Sequence, residues 1–426
     1  MKIFTQMESD VRGYCRDYPV VFERSKGSEM FTVDGDRFID FLGGAGALSY
    51  GHNNEHIKQA VMEYMQADGV LHGLDLHTKA KREFLTTLRS TILEPRKMDY
   101  KAQFTGPTGT NAVEAALKLA RKITGRQGII SFTNGYHGMT LGAIAATGNG
   151  HHRGGAGVHL GGTTFMPFDG YFGPETNTIA YIERLLEDTS SGIDTPAAMI
   201  LETVQGEGGV NPASGEWLQG IQALCRKHDI LFIVDDIQVG CGRTGTFFSF
   251  ENMGIDPDMI VLSKSLGGIG LPMALLLMKP EHDQWDIGEH NGTFRGNNLA
   301  FIAATTAFKR YWSDDSFTTE IGEKAAILRQ HLQWIKADFP ELNIEVRGRG
   351  MIWGLEIPQK GLAGEVVNEA FKRQLIIENC GTGGTVLKFL GPLTMEKAIL
   401  EEGLGLLKEA VQAVYQQHFT AAGSNS

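Results

Sequence analysis

The 426-residue chain is 42% hydrophobic and 21% charged, an ordinary balance for a globular protein, and long enough to bury a large core in two domains. A formal net charge of −11 argues against a polyanionic partner such as nucleic acid. Cys15, Cys225, Cys241 and Cys380 are scattered with no C-x-x-C, so neither a disulfide framework nor a zinc site is suggested. The N-terminus is too charged for a secretory signal. The longest apolar run, residues 271–278, is too short to cross a bilayer, and the expected location is cytoplasmic.

Residues 1–30 carry no strong period and read as a segment wrapping over a neighbour. In MFTVDGDRFIDFLGGAGALSYGH (30–52), apolar residues flank Asp34–Gly35, where a glycine suits a tight hairpin, and Phe38, Ile39, Phe41 and Leu42 lead into a Gly-rich stretch. Ile57, Val61, Tyr64 and Met65 are spaced for one helix face, as are Phe84, Leu85 and Leu88. From about residue 101 to 280 helical and strand patterns alternate, the signature of an α/β domain.

A short strand at 102–105 runs into GPTGTNAVEAALKLARKITG. Its helix begins at Gly109 and Thr110, turns Val113, Leu117 and Ala120 inward, and is capped by Gly125. Such a helix start offers free N–H groups and a positive dipole end to a phosphate, although a Gly-Thr pair also serves as a plain cap. Residues 129–132 form the next strand, leading to Tyr136-His137-Gly138. Residues 148–173, rich in Gly and His, read as a solvated loop. His151, His152 and His159 lack ligand spacing, so no metal is expected. A strand at 197–201 ends at Glu202, and Trp217, Ile221 and Leu224 mark the helix that follows.

Two apolar runs then carry the chemistry. Residues 231–234 end in Asp235 and Asp236; residues 259–262 end in Ser263 and Lys264. Ligands of open α/β sheets sit beyond the carboxyl ends of the strands, so the acid and the amine belong to one rim. A cationic ring nitrogen wants a carboxylate and an aldehyde wants an amine, which is what pyridoxal 5'-phosphate requires of a protein. Taken alone, strand-end acids and a surface lysine remain an even alternative. The flanking blocks DDIQVGCGRTG and PDMIVLSKSLGGIGLP resemble the cofactor core of the class III (omega) aminotransferases, members of the fold-type-I pyridoxal-phosphate enzymes.

Beyond residue 280 the pattern gives helices at 299–311 and 318–339. Strands near 344–346, 352–357 and 386–389 follow, with helices at 364–373 and 395–417. GRGMIWG (348–354) precedes a strand and not a helix, which discounts dinucleotide binding. The tail 421–426 is expected to be disordered.

The resemblance covers nearly the whole chain and carries expectations with it. It implies a large α/β domain (53–315) with a mostly parallel seven-stranded sheet, a smaller α+β domain (316–420) and an N-terminal segment (1–52) packed on the latter. Lys264 would hold the cofactor aldehyde and later move the proton, and Asp235 would face the ring nitrogen. Tyr136 and Ile237 would cover the two ring faces, with His137 in the same aromatic turn, and Gln238 would reach the phenolic oxygen from a bend at the strand end. Gly109 and Thr110 would cradle the phosphate, helped by Thr293 from a second copy in a homodimer at minimum, with a tetramer left open. Glu202 would support this group. Glu207 would pair with the substrate-binding cation; the family has an arginine where this chain has Lys388, so either Lys388 binds the substrate carboxylate as a point charge or another cation does. The usual Asp-Glu is here Asp235-Asp236. FLGGAGALSYGHNN, DGVLHGLDLHTKAKREFL and FTNGYHGMTLGA narrow the resemblance to the diaminobutyrate-forming branch. That branch implies L-glutamate as donor, L-aspartate 4-semialdehyde as acceptor and a place in ectoine synthesis and osmoadaptation. Ornithine, acetylornithine or 4-aminobutyrate transfer, or an aminomutase or decarboxylase on the same fold, are the alternatives. A nicotinamide oxidoreductase or a non-catalytic binding module is the more distant one.

Overall fold

The computed structural model describes residues 2–420; the tail at 421–426 lies outside the described residues. Strands β1 (Phe22–Lys26), β2 (Glu29–Thr32) and β3 (Arg37–Asp40) form an antiparallel meander. Its second turn is the one expected at Asp34–Gly35, where Gly35 adopts φ +91°. The first strand and two short helices, Lys2–Met7 and Tyr14–Asp17, fall in the stretch without legible period. On the next helices Ile57, Phe84 and Leu88 are buried, but Met65 and Leu85 are exposed and not part of the apolar face assigned to them.

The chain then builds a seven-stranded sheet from β4 (Lys101–Phe104), β5 (Ile129–Phe132), β6 (Thr163–Met166) and β7 (Ala198–Leu201). After a small hairpin of β8 (Val204–Gln205) and β9 (Asn211–Pro212), it adds β10 (Leu231–Asp235), β11 (Met259–Leu262) and β12 (Leu275–Met278). The spatial order is β4-β12-β11-β10-β7-β5-β6, and β12 alone runs against the rest. Strand β6 lies inside the stretch expected to be a solvated loop, and it pairs along its length with β5 as the sheet edge. The central strands are buried at every position because both faces are covered. Successive side chains alternate between two cores: Leu231 and Ile233 join the helix Gly109–Thr124 on one face, and Phe232 and Val234 enter the larger core on the other.

The C-terminal part forms a second sheet from β13 (Glu345–Arg349), β14 (Ile352–Glu356), β16 (Glu378–Cys380) and β17 (Val386–Phe389), in the order β13-β14-β17-β16. Between them β15 (Leu375–Ile376) leaves this sheet and pairs in parallel with β3. The helices Ser316–Asp338 and Lys397–Tyr415 pack with it, contributing Ile321, Leu328, Leu404 and Val411 to the core.

At the end of β10, Asp236 is 1% exposed; its Oδ2 accepts from Ser249 N at 3.1 Å and its Oδ1 has no partner. Burial pushes this carboxyl up to about 7, with the charge of Asp235 adding to it. A carboxyl raised from 3.8 holds its proton more firmly when folded. The stability it contributes is therefore full at low pH and lost as pH rises through about 7. Asp236→Asn keeps an acceptor for Ser249 and abolishes that loss. The difference in thermal midpoint, variant minus parent, should grow between about pH 4 and pH 7 and level off above; a difference independent of pH would contradict the argument.

Candidate active site

Because β4, β5, β7, β10 and β11 are mutually parallel, their carboxyl ends share one rim. Ten of the twelve expected site residues line a single cavity of about 600 Å³ there: Gly109, Thr110, Tyr136, His137, Glu202, Glu207, Asp235, Ile237, Gln238 and Lys264. The other two lie elsewhere. Thr293 is exposed on its loop, and Lys388 is fully buried outside the cavity lining.

Asp235 is 3% exposed and fixed on both oxygens: Oδ1 accepts from Ile237 N at 3.1 Å, and Oδ2 lies 2.7 Å from His137 Nδ1. Burial by itself would lower His137, but the hydrogen bond to Asp235 and its charge outweigh that and raise the imidazole above its ordinary value. His137 is thus a support for the acid. Glu202 receives Tyr136 N (2.9 Å) and Gly206 N (3.0 Å), tying the aromatic turn to the loop after β7. Burial raises its carboxyl to about 7.

Lys264 follows β11 in a left-handed conformation, φ +51°, that non-glycine residues seldom adopt. Its neighbours hold it there. Ser263 Oγ donates to Met273 O (2.9 Å), Ser265 Oγ donates to Gly46 O (2.7 Å), and Ser49 Oγ lies 2.6 Å from Ser265 Oγ. Burial lowers the Lys264 amine below the ordinary lysine value, with the charge of Lys388 adding to it. More of the amine is therefore unprotonated and nucleophilic near neutrality.

Lys388 Nζ donates to Glu207 Oε1 at 2.6 Å and lies 3.1 Å from Glu378 Oε1. Despite burial, Lys388 holds the Glu207 carboxyl down at about 2, and the two carboxylates hold Lys388 well above the usual lysine range. Gln238, in the turn after β10, donates to Glu207 Oε1 (3.0 Å) and Ala45 O (3.3 Å).

The residues present fit pyridoxal phosphate. The helix Gly109–Thr124 opens without a side-chain cap, and among the described residues no acceptor takes the N–H of Gly109 or Thr110. That leaves a phosphate-sized demand for an anion at the helix start. A Cβ on Gly109 would come within 2.9 Å of Ile237 Cδ1, and one on Gly138, at φ +124°, within 2.4 Å of Thr110 Oγ1. The wall is closed tightly around the space between the carboxylate and the amine.

Tyr14, Glu378, Asn379 and His152 also line the cavity. Tyr14 and Glu378 sit on elements too short for a period to reveal, Tyr14–Asp17 and β16. His152 lies in the stretch expected to be solvated, with its ring 5.7 Å from that of Tyr136.

Comparison with known proteins follows the same direction. The model of the family described as Aminotransferase class-III matches residues 14–411. A diaminobutyrate–2-oxoglutarate transaminase of Wolinella succinogenes is 56% identical over 99% of this chain and 99% of its own. One from Vibrio parahaemolyticus is 53% identical over 99% of this chain and 100% of its own. Among solved structures, an ornithine aminotransferase of Toxoplasma gondii superposes with TM-score 0.84 at 25% identity, covering 98% of this chain and 94% of that one. A Bacillus anthracis aminotransferase gives 0.85 at 22%, covering 97% of each. With an acid and an amine meeting at the rim of one sheet and the family model spanning nearly the whole chain, the protein belongs to the class-III aminotransferases.

Proposed function

We propose that the protein is a pyridoxal-phosphate-dependent diaminobutyrate–2-oxoglutarate transaminase. It moves the amino group of L-glutamate to the aldehyde carbon of L-aspartate 4-semialdehyde, giving L-2,4-diaminobutyrate and 2-oxoglutarate. The observation that carries the chemistry is the convergence of Asp235 and Lys264 on one cavity; the substrate assignment is supported by relatives 52–56% identical that bear this name.

When bound, pyridoxal phosphate supplies an aldehyde that receives the amino group and a heterocycle that withdraws electrons from the carbon losing its proton. The protein supplies the rest. Asp235, locked by His137 and Ile237 N, keeps a carboxylate in place for the ring nitrogen. Lys264 would hold the aldehyde carbon, and its Nζ, lowered by burial, takes and returns the proton. Gly109 and Thr110 would hold the phosphate, and Tyr136 and Ile237 would enclose the ring and exclude water. Glu202 fixes Tyr136 from behind through its backbone N–H. Glu207 and Lys388 form the charged pair nearest the substrate end, Glu207 lining the cavity and Lys388 setting its charge.

We place the enzyme in the cytoplasm and, on its resemblance to the diaminobutyrate-forming branch, in ectoine synthesis and osmoadaptation. We divide it into residues 1–52, 53–315 and 316–420, a division that the pairing of β3 with β15 supports for the N-terminal segment. A homodimer is favoured by exposed apolar residues, Val70, Leu71, Leu74 and Leu76, in one stretch of chain. Phe294, beside Thr293, is exposed as well and packs edge-on against His72.

Lys264→Ala should lose the visible absorbance of the bound cofactor and all but about a thousandth of turnover; retention of either would refute the assignment. Given glutamate alone, the loaded parent should release one 2-oxoglutarate per site and go no further, a test that an aminomutase or decarboxylase fails. An acceptor panel of aspartate, glutamate and succinic semialdehydes should rank the first highest. Sedimentation at micromolar protein should give at least twice the 46.6 kDa chain mass, and a monomer that retains full activity would refute the role given to Thr293.

A further inference from the structure

The charges on the cavity wall do not balance. Glu378, at the start of β16, lines the cavity that holds Lys264 although it is only 7% exposed. Its Oε1 accepts no hydrogen bond. Lys388 Nζ forms an ion pair with it at 3.1 Å but directs its side-chain hydrogen bond to Glu207 at 2.6 Å. Glu207 and Glu378 therefore share the Lys388 ammonium, and with Lys264 engaged by the cofactor the buried cluster would keep one negative charge in excess. Burial raises Glu378 above the usual carboxylate range, the charge of Glu207 adds to this, and Lys388 offsets it only in part. A second cation beside Glu378 would relieve both causes. That place is within electrostatic reach of the reacting amine, since Lys264 feels the charges of Glu207, Lys388 and Glu378 together.

The two substrates of the reaction differ in one respect that such a carboxylate can read. Beyond the reacting carbon, diaminobutyrate and aspartate semialdehyde carry an α-ammonium that takes no part in the transfer. Glutamate and 2-oxoglutarate present only carboxylates there. We propose that Glu378 accepts the α-ammonium of the four-carbon substrate and so determines which amino acceptor the site takes. The Tyr14 phenol lines the same cavity and lies close enough to Glu378 for the acid's charge to raise it. This rests on the diaminobutyrate reading above. A buried acceptor that has lost its donor makes the site reject an analogue lacking the ammonium.

The test separates the two half-reactions. The pyridoxal-phosphate-loaded parent and Glu378→Gln, which keeps the size and removes the charge, are each mixed with diaminobutyrate or with glutamate alone. The change in cofactor absorbance is followed at several substrate concentrations. For diaminobutyrate the second-order rate constant should fall about 10- to 100-fold in the variant, and for glutamate by no more than about threefold. The preference for diaminobutyrate over 4-aminobutyrate, which differs only in lacking the α-ammonium, should fall by the same factor. Equal losses with both donors, or an unchanged preference, would overturn the assignment. If Glu378→Gln does not fold, the parent alone decides: 4-aminobutyrate used within about threefold of diaminobutyrate overturns the proposal, and a strong preference for diaminobutyrate supports it. A parent inactive with diaminobutyrate overturns the substrate reading as well, whereas an active parent with equal losses overturns the role of Glu378 alone.

Discussion

The site depends on a backbone held where it does not relax by itself. A lysine at φ +51° costs about 1 kcal/mol or more relative to an extended or right-handed residue, and the turn after β11 keeps it only because three side-chain bonds close around it. The Ser49–Ser265 contact brings in the Gly-rich stretch after β3, and Ser265 reaches the carbonyl of Gly46 in the same stretch. Arg243, completely buried, donates to Ser49 Oγ at 3.2 Å and to the carbonyls of Met351 and Gly391. Gly391 follows β17, which carries Lys388. One guanidinium thus links the turn of Lys264 to the strand of the buried Lys388. No ionised carboxylate faces it among its hydrogen-bond partners; burial accordingly lowers its pKa to about 9.

The same logic governs the acids. Asp235 can serve a cationic ring nitrogen because both of its oxygens are already directed, one by a backbone N–H and one by His137. Glu202 is raised by burial, and the charge of Asp235 adds to this. Asp236 faces away into the loop carrying Ser249, which separates the acid that serves the cavity from the one that serves the fold. Adjacent residues on a strand point to opposite sides, so the Asp-Asp pair divides its work by geometry alone.

Much of this was legible in the sequence. Strand ends with a sudden polar residue are readable because the apolar runs of the central strands stop there, and Asp235, Lys264 and Glu202 each stand at such an end. Gly109 and Thr110 were readable from the helix that follows them. Tyr14 and Glu378 were not. A four-residue helix and a three-residue strand contain less than one period, and what brings them to the cavity is a parallel pairing between β3 and β15, some 340 residues apart in the chain. Strand β6 was hidden by its setting, since a short edge strand among glycines and histidines has the composition of a loop. The substrate was never legible from pattern, because the groups that select it lie on those short elements.

At Lys388, where the resemblance leads one to expect an arginine, a lysine changes more than one contact. An ammonium is compact, with three donors, and it can sit fully buried between two carboxylates without any fork having to match a partner. A guanidinium would spread the same charge over a planar group and favour paired bonds to a single carboxylate. Here the second carboxylate is Glu378, and the ammonium does not serve both acids equally: the bond to Glu207 is short, whereas the ion pair to Glu378, at 3.1 Å, lacks hydrogen-bond geometry. The cation seen from the cavity is therefore partly cancelled before any substrate arrives. With Lys264 engaged by the cofactor, the charge that remains would be negative, which favours an ammonium over a second carboxylate.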